Sequence, residues 1–300
     1  MRVDPNMVPN MLAAIQQSEV SLNTALQQVS TGKSVNLPSD NPSAAAEMVQ
    51  NTIETADVDQ YTQNVSSVLS TVQTADSALS SVVSSLTQAI SLGTEGANGT
   101  NSAANQQSLA TQVQGILSSV VSQANTSYQG SYLFGGTAST TIPYVADPTS
   151  PSGYTYKGND DANSVQVGDK LSVQVNLPGS QIFSNSSNNV LGSLSSLVTA
   201  LQSGNTTAIG TATTAVSSAL NYVSQQRIIY GNTESQLNAQ ETYLQQETVN
   251  LSSQATSLVG VDMATAATNL SQAETDNNAA LAAAAKVLPN TLLNYLSAPN

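Results

Sequence analysis

Residue types that carry chemistry are scarce in this chain, and the acids are the natural place to begin. Asp147, Asp160, Asp161 and Asp169 form the one acidic grouping whose type could hold a metal ion or act as a general acid and base pair. They stand in turn-rich sequence punctuated by Gly153, Gly158 and Gly168 and lack calcium-loop spacing, so they read as solvated turn carboxylates. The chain has neither His nor Cys. That removes the commonest general base and metal ligand, and with it disulfides, zinc–thiolate sites and cysteine nucleophiles. Gly135 and Gly136 have a phosphate-loop composition, but no Lys-Ser/Thr pair follows and no strand–loop–helix order surrounds them. A tight turn or hinge is the simpler reading. The Asn-x-Ser/Thr triplets at Asn64, Asn98, Asn125 and Asn205 follow from a chain rich in Asn, Ser and Thr, and no role is assigned to them. The residues therefore predict a protein that is not an enzyme and uses no cofactor or metal.

Partners are narrowed by charge. Nineteen acids against six bases give a net charge of -13, so the chain lacks the basic footprint of a nucleic-acid binder and an anionic membrane surface would repel it. Only 8% of residues are charged, which leaves solubility to neutral polar groups. With two Phe and no Trp, the core must be built from Val, Leu, Ile and Ala. No stretch approaches the roughly 18 unbroken apolar residues of a membrane span. The segment from Met1 to Asn10 has no basic run followed by an apolar one, so export would use a route that reads no cleaved signal peptide.

The elements that organise the chain are heptads. Val58, Tyr61, Val65, Val68, Val72, Ala75, Leu79, Val82, Leu86 and Ala89 alternate steps of three and four without a break, the seam of a coiled coil. Ser, Thr and Gln flank it in place of charges, so register must come from shape. Towards the other end Val216, Val223, Tyr230, Leu237, Leu244, Leu251 and Leu258 stand seven apart on one long helix. Its second seam position carries Ala219, Gln226, Thr233, Gln240, Glu247 and Gln254, a narrow stripe suited to packing along other helices. Leu109, Val113, Ile116, Val120 and Ala124 predict a further helix, and Gly93 to Asn101 a reversing loop.

Both ends repeat the pattern. Val8, Met11, Ile15, Leu22, Ala25 and Val29 follow the heptad with Ser18 interrupting; Met263, Ala266, Leu270, Ala273, Ala280, Ala284 and Val287 do so with Asn277 interrupting. Gly32 and Pro38 stop the first helix before Asn41 and Pro42 open the next, with Asp40 between them; Gly260 closes the long helix before Asp262 caps the last. The first helix has too few sizeable apolar side chains to offset the entropy of ordering itself alone. Residues 1–40 and 261–300 are therefore expected to be mobile in the free chain and to order where neighbouring copies bury their seams.

From 131 to 184 alternation replaces the heptads: Val165 and Val167, then Leu171, Val173, Val175 and Leu177. Helix returns with Val190, Leu191, Leu194, Leu197, Val198 and Leu201 on one face. The predicted fold is mainly α with a small β-rich insert, a folded-back rod of long coiled-coil helices with the termini paired at one pole and the insert at the other. Its expected divisions are a terminal helical domain (1–40 with 261–300), a helical rod (41–130 with 185–260) and the insert (131–184).

Specific residues then resemble a known family. The run from Gln27 to Pro42, with Gly32-Lys33 and the ending Pro38-Ser39-Asp40-Asn41-Pro42, is similar to the amino-terminal signature of flagellins. The start Met1-Arg2-Val3, the run Tyr128-Gln129-Gly130-Ser131-Tyr132-Leu133-Phe134-Gly135-Gly136, the run Val261 to Ala266 and the ending Leu288 to Leu296 resemble the hook–filament junction branch of that family. Ser34 departs from the pattern, which more often has Arg there. The resemblance implies a structural subunit of the bacterial flagellum, exported unfolded by the flagellum's own apparatus. It also implies partners: further copies in a tubular lattice, the first hook-associated protein, flagellin, and an export chaperone on the carboxyl-terminal helix before secretion. Filament flagellin is the nearest alternative and an enzyme displayed on a helical frame a distant one.

Overall fold

A computed structural model describes the backbone of residues 7–296 and the side chains of residues 8–286. The Met1-Arg2-Val3 start, the Val287 side chain and the side chains of the Leu288 to Leu296 motif lie outside the described residues. The chain runs α1 (Met7–Thr31), α2 (Pro42–Gly96), α3 (Ala103–Ala124), β1 (Ser127–Tyr128), β2 (Ser131–Tyr132), β3 (Tyr144–Ala146), β4 (Tyr154–Tyr156), β5 (Ser164–Gly168), β6 (Leu171–Gln174), α4 (Gly179–Ile182), α5 (Val190–Ser203), α6 (Thr206–Val259) and α7 (Met263–Leu296). The fold is mainly α with small β elements, as the heptads and the central alternation predict.

Two compact units divide these elements: Met1–Asp57 with Glu247–Asn300, and Val58–Gln246. In the first unit α1 packs on α7, and the unit also holds the start of α2 and the end of α6. Asn51 of α2, itself buried, donates to the Leu251 carbonyl of α6 at 3.0 Å and to Gln254 Oε1 at 3.2 Å, which fixes the register of the two helices there.

In the second unit the seam of α2 is the core. Val65, Val72, Leu79, Val82 and Leu86 are fully buried, as are Val216, Val223, Leu237 and Leu244 nearby in α6 at their own heptad positions. Tyr61 is half-buried. Across this interface Arg227 makes a bidentate ion pair with Asp76, both contacts at 2.9 Å. Gly93 and Gly96, read as the start of a loop, instead belong to the last turns of α2, and the reversal occupies 97–102 with Ser102 capping α3. A β-carbon at Gly93 would collide with Thr213 of α6, and one at Gly96 with Leu201 of α5. These glycines permit close helix crossing rather than breaking the helix.

The β elements are three antiparallel hairpins, β1–β2, β3–β4 and β5–β6. Alternation at 165–177 marked the third; β3 and β4 are three residues each, too short for a periodicity to register. Aromatic packing replaces it. The chain's two Phe, Phe134 and Phe183, meet edge-on at 5.2 Å, and Tyr144 joins both Phe183 at 5.9 Å and Tyr156 at 5.2 Å. The Tyr144 hydroxyl donates to the Gly179 carbonyl at 2.8 Å, and its burial pushes its pKa well above the ordinary phenol range. The third hairpin is held to the long helices by side-chain amides: Asn64 of α2 donates to the Gln166 carbonyl at 2.8 Å and Gln240 of α6 to the Val167 carbonyl at 2.9 Å.

Candidate functional site

Of the acids singled out in the sequence, Asp147 and Asp160 have carboxylates occupied by local donors. Asp147 accepts from the Thr149 amide and from the hydroxyls of Thr149 and Thr155; these bonds stabilise its carboxylate and hold its pKa down to about 2. Asp160 accepts from the Ser180 hydroxyl, and the Asp169 carbonyl accepts from Gln166. Among the described residues no group of three or more acids offers a metal site, and no helix is long and apolar enough to cross a membrane. Asn64 and Asn125 spend their amides on backbone: Asn125 both donates to the Tyr144 carbonyl and accepts from its amide, each at 2.8 Å.

Gly135 and Gly136 lie in the turn after β2. Gly136 has φ 70°, a left-handed value, and a β-carbon there would meet Asn159. The turn is locked from the other side, because Asn159 accepts from the Thr137 amide at 2.7 Å and the Asn159 amide donates to the Gly135 carbonyl at 3.2 Å. This geometry orders the Tyr-Leu-Phe-Gly-Gly run around a buried Phe134.

The terminal helix pair is the candidate functional surface. On α1 the residues Met11, Ile15, Ser18, Leu22 and Val29 are half-buried and Ala25 is buried; on α7 Leu270, Ala273, Asn277 and Ala280 are half-buried and Ala266 and Ala284 buried. The two predicted seams thus share one two-helix interface within the chain, while Val8 and Met263 from the same stripes stay exposed. A different set of apolar side chains is left to solvent. Leu12 is 56% exposed, Val20 59%, Leu26 45% and Leu281 48%, with Val49 and Ile53 of α2 exposed in the same unit. Leu12, Glu19 and Leu26 stand seven apart, and Glu19 is the one charge in α1. A second phase on α1, offset from the seam and interrupted by Glu19, is the signal that would have found Leu12 and Leu26. Between the helices a groove of about 700 Å³ is lined by small and polar residues, among them Ala14, Ser21, Thr24, Asn269 and Gln272.

Of the residues expected to be linkers or hinges, all but Gly135 and Gly136 are gathered in the same unit. The Asp40 carboxylate accepts from the amides of Asn36 and Leu37 at 3.0 and 2.8 Å, closing the turn that holds Pro38. Asn41 caps α2 by accepting from the Ala44 amide at 3.2 Å, and Pro42 is its first residue. Asp262 caps α7 by accepting from the Ala264 amide at 3.0 Å. Gly32 and Gly260 lie next to each other at the ends of α1 and α6.

Similarity to known proteins runs along the same elements. The chain matches the bacterial flagellin N-terminal helical region over residues 5–139 and the bacterial flagellin C-terminal helical region over residues 213–296. It is 30% identical over 166 residues to flagellar hook-associated protein 3 of Escherichia coli, covering 55% of this chain and 51% of that protein. To flagellar hook-associated protein 3 of Salmonella typhimurium it is 28% identical over 181 residues, 60% of this chain and 56% of that one. The chain thus spans about half the length of the curated relatives it matches. Its fold resembles the flagellar junction protein FlgL of Legionella pneumophila with a TM-score of 0.60 at 15% identity, over 71% of this chain and all of that one. With both terminal helical regions matched, and the elements they cover paired in the fold, the chain belongs to the bacterial flagellin family.

Proposed function

We propose that the chain is a structural subunit of the bacterial flagellum that joins the hook, through the first hook-associated protein, to the flagellin filament. The observation that carries a lattice role is the α1 and α7 pair, with Leu12, Val20 and Leu26 exposed on an α1 whose one charge is Glu19, and Leu281 exposed on α7. Exposed apolar side chains outside a two-helix seam, Leu12 and Leu26 two heptads apart among them, favour further helices from neighbouring copies. The position at the junction is supported by the names of the curated relatives and by the Tyr132 to Gly136 run. The role is mechanical. Copies pack side by side in a tubular lattice, with no catalytic step, outside the cell.

In the same reading α7 is bound before export by a flagellar chaperone, which would cover its Ala-rich seam until the amino-terminal helix takes its place. A deletion strain tests the placement. Loss of this subunit is expected to leave hooks intact and release flagellin monomers into the medium, with filaments restored by the plasmid-borne chain. Completed hooks with no flagellin in the medium would instead identify it as the filament protein.

A further inference from the structure

In the first unit two connections separate the helices: residues 32–41 lead from α1 to α2, and residues 260–262 from α6 to α7. Though far apart in sequence, they are hydrogen-bonded to each other. The Ser34 amide donates to the Val259 carbonyl at 2.7 Å and the Val261 amide to the Gly32 carbonyl at 3.1 Å, so Lys33 and Gly260 form an isolated antiparallel bridge. The Ser34 hydroxyl is a second donor to the Val259 carbonyl, at 3.2 Å.

Each side of this bridge is held by more than the bridge itself. On one side Asn51 fixes α2 to α6, and the Asp40 carboxylate fastens residues 36 and 37 to the start of α2. On the other side α1 and α7 share a seam. The helices α1 and α6 each end at the bridge for local reasons. Gly32 sits at φ 68°, left-handed, and its amide closes α1 on the Gln28 carbonyl at 2.9 Å. At Gly260 a β-carbon would run into the Thr256 carbonyl oxygen, so only glycine brings the chain this close to the last turn of α6.

We infer that residues 32–34 and 259–261 are one joint, about which α1 and α7 swing together against the ends of α2 and α6. Two independent hinges would let α1 and α7 diverge and open the seam between them. The bridge instead makes rotation at Gly32 accompany rotation at Gly260, because each connection holds the other's backbone on both flanks. The tilt of the terminal pair can then vary while its seam stays closed, since hinges of this kind concentrate motion in a few residues at element ends. The joint rests on this geometry alone and holds whether the subunit sits in a junction or in a filament.

The absence of Cys makes the intact chain suited to paired spin labels on introduced cysteines. Three exposed positions serve: Glu19→Cys on α1, Asn278→Cys on α7 and Ala46→Cys on α2. The expected result is a narrow distance distribution for 19 with 278, and broad, mutually similar distributions for 46 with either. Val261→Pro, which removes one donor of the bridge, should abolish the narrow distribution and make the two broad ones differ. Gly260→Ala, which displaces the bridge through its β-carbon, should act in the same direction. Three results would overturn the joint: a 19–278 distribution as broad as the others in the unsubstituted background, 46-based distributions as narrow as 19–278, or a narrow 19–278 distribution that survives both substitutions.

Discussion

The heptads of α2 in the second unit and those of α1 in the first look alike on paper and are used differently. In the second unit Val65, Val72, Leu79, Val82 and Leu86 are fully sealed from solvent. In the first, Met11, Ile15, Leu22 and Val29 are half-exposed along a single partner whose seam is mostly Ala. Periodicity tells which face of a helix finds a partner; it does not tell how many partners there are. That number sets the free energy, because apolar stabilisation scales with the area removed from water. An α1 judged alone cannot hold, and the structure supplies it with one helix, enough to define a seam and too little to fill its surroundings.

The largest consequence should appear in hydrogen exchange of the free chain. Amides of α1 and α7 are expected to exchange on the order of a hundredfold or more faster than those of residues 65–90, since segments with few buried apolar contacts open locally at low cost. Equal protection would mean that the terminal pair is as stable as the bundle, and the expected mobility of the two ends, here the brief opening of a seam that is closed for most of the time, would have to be given up. A smaller difference separates two truncations of the same type. Leu79→Ala, at a fully buried position, should cost about 2 to 5 kcal/mol in denaturant unfolding, and Leu22→Ala, half-exposed, about 1 kcal/mol. Comparable costs at the two sites would erase the distinction between filled and unfilled seams.

How far the sequence could be read depends on the distance over which each signal acts. The seam from Val58 to Ala89 was legible because its Val and Leu side chains repeat without interruption and every one but Tyr61 is buried. Gly93 and Gly96 misled for a physical reason: a glycine that ends a helix and one that admits a neighbouring helix have the same letter, and only Leu201 and Thr213 distinguish them. The β3–β4 hairpin was hidden because three residues cannot show a period, and its stability comes from Phe134, Phe183 and Tyr144 gathered from three places in the chain. The bridge from Lys33 to Gly260 leaves no local trace at all, being made of backbone groups. The outward stripe of Leu12 and Leu26 was present in the sequence and was masked by the stronger seam beside it.

The smallest and most discriminating difference concerns the side chains of two asparagines. Asn51 in α2 donates to both Leu251 and Gln254. Asn277 stands at a seam position of α7, and its buried Oδ1 has no hydrogen-bond partner among the described residues. The nearest counterpart in kind, Ser18 in the seam of α1, turns its hydroxyl back to the Ile15 carbonyl at 2.9 Å and so offers no donor across the interface. A buried acceptor left unpaired is costly, whereas a satisfied one is roughly neutral or favourable, so the same substitution should have opposite signs at the two sites. Asn51→Leu is expected to lower stability by about 1 kcal/mol, and Asn277→Leu to raise it by about the same amount. Thermal unfolding of the free chain measures both. Loss at both sites would mean that the Asn277 oxygen is satisfied in solution. Gain at Asn277 alone would mean that the terminal pair carries a polar group it does not need for folding, the pattern of a seam whose polar residue limits the registers open to it at a cost in stability.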